Sequence, residues 1–369
     1  MTEDLKFSLI VPIYKTEAFL EKCVTSIFEK GGYENKEVIC VLDGESQKAR
    51  EILAKFEDKI KVIAIKHAGA PAARNAGARI ATGDVFSFFS SDFQAQAGMI
   101  ATWKWYFDQH PDADFVYGGY RLNTPNMDAV PSEDFDLFSL QNYPYIDGGM
   151  PIKRSAYVGW DENMKSLQDW DWWLSVVEKG AKGQWMPDYT YKAEAPRPKG
   201  LSDDSHSHWI ERVETIKRKH NIPINDTVFC SIGAPAHAKR VAKLVGADYL
   251  PRPQFKPHKY KMVYLIGFYP TIAIDSVDVF NGCSKDCRRV VHWAGTDVWQ
   301  LYNNVPYVAA KTLAKTLNSE SIQLCEDNQN YKELKELGFN AFNRPLPAYF
   351  SHINPPRFPE MFTVAVYDT

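Results

Sequence analysis

FSLIVPIY, residues 7–14, is a short, nearly continuous apolar run, the pattern of a strand buried on both faces. From Glu17 the period changes: Leu20, Val24, Ile27 and Phe28 recur at helical spacing, and Gly31-Gly32 supplies a stop. The alternation then repeats. EVICVL ends in Asp43-Gly44, a helix is predicted over roughly Ser46–Phe56, and KVIAI forms a third strand. PAARNAGARIA is a small-residue helix stopped by Gly83, and DVFSFF is a fourth strand. Strands interleaved with helices of this length imply βαβ units and a mostly parallel sheet. Ligands of such sheets bind at the carboxyl ends of the strands, which here carry Tyr14, Asp43, His67 and Ser90-Ser91-Asp92.

Outward from this core the pattern weakens and then restarts. Between about Gly118 and Ala195 the chain reads as irregular, rich in Tyr, Trp, Pro and Asp, with one strong helix at Gln168–Lys179. A charge-rich helix, HWIERVETIKRKHN, ends at Pro223, where a boundary is placed: residues 1–222 form one domain and 223–369 a second. The second shows a fresh α/β alternation of the doubly wound kind, closing on FTVAVYDT. The whole chain has 369 residues, 45% apolar and 24% charged, with net charge −3, an ordinary globular composition. No stretch approaches 18 consecutive apolar residues, so no membrane span is expected. The opening MTEDLKFSLIVPIY has no basic segment before its apolar run, and six irregularly spaced cysteines point to a reducing, cytoplasmic setting.

Over roughly residues 6–202 the chain resembles the family 2 glycosyltransferases of GT-A fold. The resemblance rests on four ordered pieces: SLIVPIYKTEAFLEKCVTSI, VICVLDGES, HAGAPAARNAGARIATGDVFSFFSSD and GWDENMKSLQDWDWWLSVVEKG. It implies transfer of a sugar from a nucleotide donor, UDP-linked, to a hydroxyl acceptor, with inversion at the anomeric carbon. Pro12, Tyr14 and Asp43 match positions that contact uracil and ribose, and Arg74 the base or phosphate side. Ser90-Ser91-Asp92 stands where the family has its metal-binding Asp-x-Asp, so Asp92 is the candidate ligand for Mn²⁺ or Mg²⁺. The first carboxylate of that motif is here Ser90, and Phe93 stands where a further Asp often follows. A hard divalent ion needs only one or two carboxylates besides substrate phosphates and water. The leaving diphosphate is served either by a cation on Asp92 or by Arg197 or Lys199. A protein that binds donor without turning it over is the rival reading.

For the base, Asp169 and Asp171 compete, because two residues apart on a helix they point roughly 200° apart. Asp169 shares its face with Trp172, Trp173 and Val176, which predicts a desolvated carboxylate of raised pKa; Asp171 shares its face with Ser175 and Glu178, which predicts a solvated one. The family motif also places the base at Asp169. Trp160, Trp170, Trp172 and Trp173 suit either a sugar-stacking platform or the core. The second domain resembles the N-terminal lobe of a GT-B glycosyltransferase, chiefly through VVHWAGTDVWQL. From Arg212 to Lys261, eleven Lys/Arg stand against Glu214, Asp226 and Asp248. That excess is a footprint for a polyanionic acceptor such as nucleic acid or a lipid-linked sugar, or else a set of solvated helix faces.

Overall fold

The structure is a computed structural model that describes residues 4–125, 128–194, 209–231, 235–251, 260–268, 286–325 and 328–343. The chain divides into two compact units, Met1–His208 and Trp209–Thr369.

The first unit runs β1 (Phe7–Ile13), α1 (Glu17–Lys30), β2 (Lys36–Asp43), α2 (Gln47–Leu53), β3 (Ile60–Ile65), α3 (Ala70–Ile80), β4 (Val85–Ser87), β5 (Phe93–Ala95), α4 (Met99–Gln109), β6 (Phe115–Asn123), β7 (Ala129–Val130), α5 (Leu137–Asn142), β8 (Ile152–Lys153), α6 (Gln168–Glu178) and β9 (Gly183–Glu194). Its sheet has the order β3-β2-β1-β4-β8-β6-β9-β5, with β7 on β6. Strands β3, β2, β1 and β4 are mutually parallel, which makes them the predicted βαβ half, while β8, β5 and β7 join antiparallel. The small residues of α3 have a packing reason. A Cβ on Gly77 would lie 2.3 Å from Ile10 Cγ2 and 3.1 Å from Val41 Cγ2, so α3 rests directly on β1 and β2.

The Gly118–Ala195 region is far more regular than its sequence suggests. It contains the outer half of β6 and all of β7, α5, β8, α6 and the twelve-residue β9. Glycines and a proline hide this pairing from a sequence pattern. Gly118-Gly119 interrupt β6, Pro187-Asp188 interrupt β9, and the register between the two strands shifts on either side of Gly119. The glycines are required there: a Cβ on Gly118 would stand 2.6 Å from the Asp188 carbonyl, and one on Gly119 2.6 Å from the Val130 carbonyl.

The second unit runs α7 (Trp209–Lys219), β10 (Thr227–Ser231), α8 (Pro235–Val245), β11 (Asp248–Leu250), β12 (Met262–Ile266), β13 (Arg288–Trp293), α9 (Thr296–Asn304), α10 (Tyr307–Glu320), β14 (Ile322–Cys325), α11 (Asn328–Glu336) and β15 (Ala341–Asn343). Its sheet, β11-β10-β12-β13-β14-β15, is parallel throughout, as a doubly wound domain requires. The order reverses between β10 and β12, the crevice where such sheets take ligands. The division of the chain precedes α7 and does not fall at Pro223. The reason is Lys217 of α7, whose buried ammonium donates to Asp248 Oδ1 of β11 at 2.6 Å. Asn225 Nδ2 and the Tyr260 hydroxyl also donate to that carboxylate, at 2.9 and 2.7 Å, which ties α7 into the second core.

This pairing also thins the basic footprint. Lys217 is internal, Arg218 is paired with Glu214, and Lys261 donates to Asp226 at 2.7 Å. Arg252, Lys256 and Lys259 lie outside the described residues, as do Arg197, Lys199, Cys283 and FTVAVYDT. Cys23, Cys40, Cys230, Cys287 and Cys325 are buried free thiols. Among the described residues no helix is long and apolar enough to cross a membrane.

Candidate active site

The parallel strands deliver the predicted residues to one edge of the first sheet. Pro12, half-buried, pairs with Val41 between β1 and β2, and Tyr14 emerges just beyond β1, exposed. Lys15 follows with φ +55°, a left-handed turn that sends the chain into α1, and its ammonium sits 4.9 Å from the Tyr14 ring centre. Tyr14 stacks on His67 from the loop after β3, with centroids 4.1 Å apart and planes 7° from parallel. Asp43, expected to contact uracil or ribose, is 2% exposed and occupied from within. It accepts from His67 Nδ1 at 2.9 Å, Ala68 N at 2.7 Å and Gly69 N at 3.0 Å. Asp43 therefore holds the loop that presents His67, and a flat two-ring wall faces outward in its place. His67 marks a strand end in the sequence; its pairing with Tyr14 depends on the backbone.

Beyond β4, Ser91 is buried and its hydroxyl lies 2.7 Å from that of Thr16 at the start of α1. The Ser90 carbonyl accepts from Phe93 N at 2.9 Å, a tight turn that leaves Asp92 half-buried at its corner. Among the described residues no three His, Cys, Asp or Glu side chains gather as a metal-binding group. Phe93 packs on Tyr191, with rings 4.8 Å apart and stacked.

The third cluster joins two residues that the sequence treats separately. Arg74 of α3 and Asp169 of α6 form an ion pair, Nη1 to Oδ1, at 3.0 Å. Arg74 is buried, its guanidinium lies 4.1 Å from the centre of the Trp160 ring, and Trp160 stacks on Trp172 at 4.2 Å. The Arg74 Nε has no hydrogen-bond partner, so a donor remains available at a buried site. Asn75, next along α3, anchors the loop carrying Trp160. Its Oδ1 accepts from the Tyr157 hydroxyl and Trp160 N at 2.8 and 2.9 Å, and its Nδ2 donates to the Trp160 carbonyl and Glu162 at 2.9 Å each.

The solvation expected for the two helix carboxylates is reversed. Asp171 is 2% exposed, whereas the Asp169 side chain is 36% exposed. The indoles explain this. Trp170, Trp172 and Trp173 leave α6 in three directions and donate to the carbonyls of Leu140, Val158 and Asp147, so the helix has no solvated flank at Asp171. All four tryptophans, Trp160 included, are buried and serve the core, not a sugar platform. Asp169 escapes burial at the helix start, where Leu167 adopts φ +54° ahead of Gln168.

The desolvated carboxylate is one that sequence reasoning missed. Asp147 Oδ1 accepts from Gly149 N and the Tyr191 hydroxyl, both at 2.8 Å. Burial, reinforced by the charge of Asp169, pushes its pKa up to about 6. Between the two acids lies Gly148, where a Cβ would stand 2.6 Å from Asp169 Oδ1. The only sequence signal for this feature is the Asp-Gly-Gly run itself, which reads equally as a turn.

A stacked aromatic wall, a corner carboxylate after β4 and an arginine-held carboxylate on α6 together suit a nucleotide-linked donor and a proton acceptor. The sequence model of Glycosyl transferase family 2 matches residues 8–159. Residues 8–159 belong to glycosyl transferase family 2. The Glycosyltransferase GlyG of Streptococcus pneumoniae is 35% identical over 163 residues, 41% of this chain and 53% of GlyG. The poly(ribitol-phosphate) beta-glucosyltransferase of Bacillus spizizenii is 30% identical over 207 residues, 51% of this chain and 32% of that protein. The chain thus spans between a third and about half of these relatives' lengths. Among solved structures, residues 1–349 of S. aureus TarS with UDP-GlcNAc match at TM-score 0.51 and 18% identity, covering 58% of this chain and 66% of that one, a likeness of fold.

The family 2 domain includes Pro12, Tyr14, Asp43, Arg74 and the Ser90–Asp92 corner, while Asp169 and α6 follow it in the same unit. For a divalent cation, the family 2 domain offers one carboxylate, Asp92, on a turn with the hydroxyls of Ser90 and Ser91. That set fits a magnesium or manganese ion that takes its remaining ligands from a diphosphate and water.

Proposed function

We propose that the chain is an inverting glycosyltransferase that uses a UDP-linked donor, with Asp169 as the base. The acceptor hydroxyl oxygen bonds to the anomeric carbon, its proton passes to the Asp169 carboxylate, and the bond from that carbon to the diphosphate oxygen breaks to release UDP. One observation carries this reading: Asp169 is the partly exposed carboxylate of the cluster, held by Arg74 at 3.0 Å over a glycine that leaves room beside it. Arg74 fixes the orientation of the base, and its free Nε is a donor for the phosphate side of the nucleotide. Tyr14 and His67 give the uracil a stacking face, and Pro12 and Asp43 shape the strand ends beneath it. The UDP-GlcNAc bound by S. aureus TarS, a protein of like fold, supports the choice of nucleotide. A cation held by Asp92, when bound, would supply charge compensation for the leaving diphosphate.

The test is hydrolysis of a panel of nucleotide sugars with Mn²⁺, Mg²⁺ or EDTA, since water substitutes for an unknown acceptor. Turnover of one donor, falling roughly a hundredfold to ten-thousandfold in Asp169→Asn while UDP still binds, is the expected result. Undiminished turnover in that variant removes Asp169 as the base. Silence on every donor, with UDP bound, turns the reading to a nucleotide-sugar-binding protein. Loss of turnover in both EDTA and Asp92→Ala would assign the cation to Asp92; turnover that survives both moves the leaving-group role to a basic side chain.

A further inference from the structure

The turn Asp147–Met150 is fastened both to the helix of Asp169 and to the strands around the Ser90–Asp92 corner. Toward the helix, the Asp147 carbonyl accepts from Trp173 Nε1 at 3.2 Å, and Trp173 stands one turn after Asp169 on α6. Gly148 follows, with the Asp169 carboxylate in the space that a side chain there would need: a Cβ would lie 2.6 Å from Oδ1 and 3.1 Å from Oδ2. Met150 N closes the turn by donating to the Asp147 carbonyl at 3.3 Å. The Gly149 carbonyl accepts from the buried Ser87 hydroxyl at 2.6 Å, which pins the turn to β4, the strand that leads into the corner.

Toward the corner, the link is the Asp147 side chain. Its Oδ1 accepts from the Tyr191 hydroxyl of β9 and from Gly149 N, both at 2.8 Å. The Tyr191 ring is fully buried and touches the residues on either side of Ser90–Asp92: it meets Phe89 edge-on at 5.6 Å and stacks on Phe93 at 4.8 Å. Phe89 and Phe93 meet each other edge-on at 5.6 Å, so three rings close beneath the corner. A Cβ on Gly149 would stand 3.0 Å from Asp147 Oδ1, 3.2 Å from Phe93 Cε2 and 3.5 Å from the Tyr191 hydroxyl, which leaves little slack between turn and rings. An acid whose charge is disfavoured by burial stabilises a fold less than an apolar side chain would, so packing alone does not account for a carboxylate here.

We infer that Asp147 is a positioning residue: through the 147–150 turn and Tyr191 it fixes Asp169 relative to the Ser90–Asp92 corner, and so sets the proton acceptor against the leaving diphosphate. The inference rests on the role proposed above for Asp169. Placement of this kind matters to rate, since displacing a reacting group by about 1 Å costs on the order of a hundredfold.

The experiment compares Tyr191→Phe, Asp147→Leu and Asp147→Asn in the full chain by donor hydrolysis, UDP calorimetry and thermal unfolding. Tyr191→Phe deletes the hydroxyl and keeps the three rings; kcat should fall about fivefold or more, with donor KM and UDP affinity within about twofold of the wild type. Asp147→Leu should lose about tenfold or more, and Asp147→Asn, which keeps an oxygen for both donors, should restore kcat to within about threefold. If Asp147→Leu fails to fold, Tyr191→Phe against Asp147→Asn carries the same comparison. Melting temperatures that move while kcat per folded molecule stays constant overturn the positioning role, and so does an Asp147→Asn as slow as Asp147→Leu. Asp169→Asn is the control: full turnover there removes the base itself, whereas a slow Asp169→Asn beside fast Tyr191→Phe and Asp147→Leu removes this inference alone. Should no donor turn over, crystal structures decide. The Arg74–Asp169 pair, 3.0 Å in the wild type, should open in Asp147→Leu and persist in Asp147→Asn; persistence in both overturns the inference.

Discussion

At the scale of single residues, the Asp169 cluster turns on two carboxylates and the glycine between them. Gly148→Ala places a Cβ 2.6 Å from Asp169 Oδ1 and 2.8 Å from its Cγ, so the carboxylate must swing from Arg74. Donor hydrolysis should fall about tenfold or more while the far-ultraviolet circular dichroism and UDP affinity stay as in the wild type. Asp147 supports a pH prediction. In the folded chain it keeps its proton up to about pH 6; in the unfolded chain it releases it in the ordinary carboxylate range, near 3.8. Between those values the folded form binds the extra proton, so the stability this group contributes is present at low pH and is lost as pH rises through the window. Asp147→Asn keeps an oxygen for Gly149 N and the Tyr191 hydroxyl and carries no charge. It should therefore match the wild type near pH 4 and exceed it by roughly 1–3 kcal/mol above pH 6, measured by denaturant unfolding. Sequence periodicity located both helix acids yet reversed their solvation. An angle around a helix axis says which side chains share a face, and only the neighbouring elements decide which face is wet.

At the scale of elements, the first four strands were legible because each carries a short, mostly apolar run bounded by Gly, Pro or a charge. β6 and β9 were not, because the same glycines and proline that allow their bulged pairing break the alternation by which a strand is recognised. Contacts between elements leave even less trace in a sequence. Asn75 lies within the quoted NAGARIA run, yet nothing there shows that its amide makes four hydrogen bonds to the 157–162 segment. Asn75→Ala deletes all four and strands the Trp160 N–H, at a cost of about 1–3 kcal/mol. The thermal transition of the first unit should drop by on the order of 5 °C in calorimetry. A donor-hydrolysis rate that falls with it would show that the loop seats Arg74 against Trp160.

At the scale of the whole molecule, two sheets with separate cores predict two thermal transitions. Asp248→Ala leaves the Lys217 ammonium buried without its carboxylate, a loss of about 3–5 kcal/mol. One transition should fall by on the order of 10 °C while the other, identified by its upward shift with UDP, stays in place. Equal movement of both would mean that the units unfold together. The existence of two α/β units was readable from the interrupted alternation near Pro223; the placement of α7 was not, because a helix this rich in charge looks solvated until its one inward lysine is located. Lys217 is hidden in the charge excess after Arg212 for the same reason, since counting lysines does not separate an outward ammonium from an internal one. That internal position makes Lys217 a ready-made chemical clock. An acylating reagent that tags every outward amine within seconds will spare it in the native chain, and its slow labelling will time, at one residue, each opening of the second core.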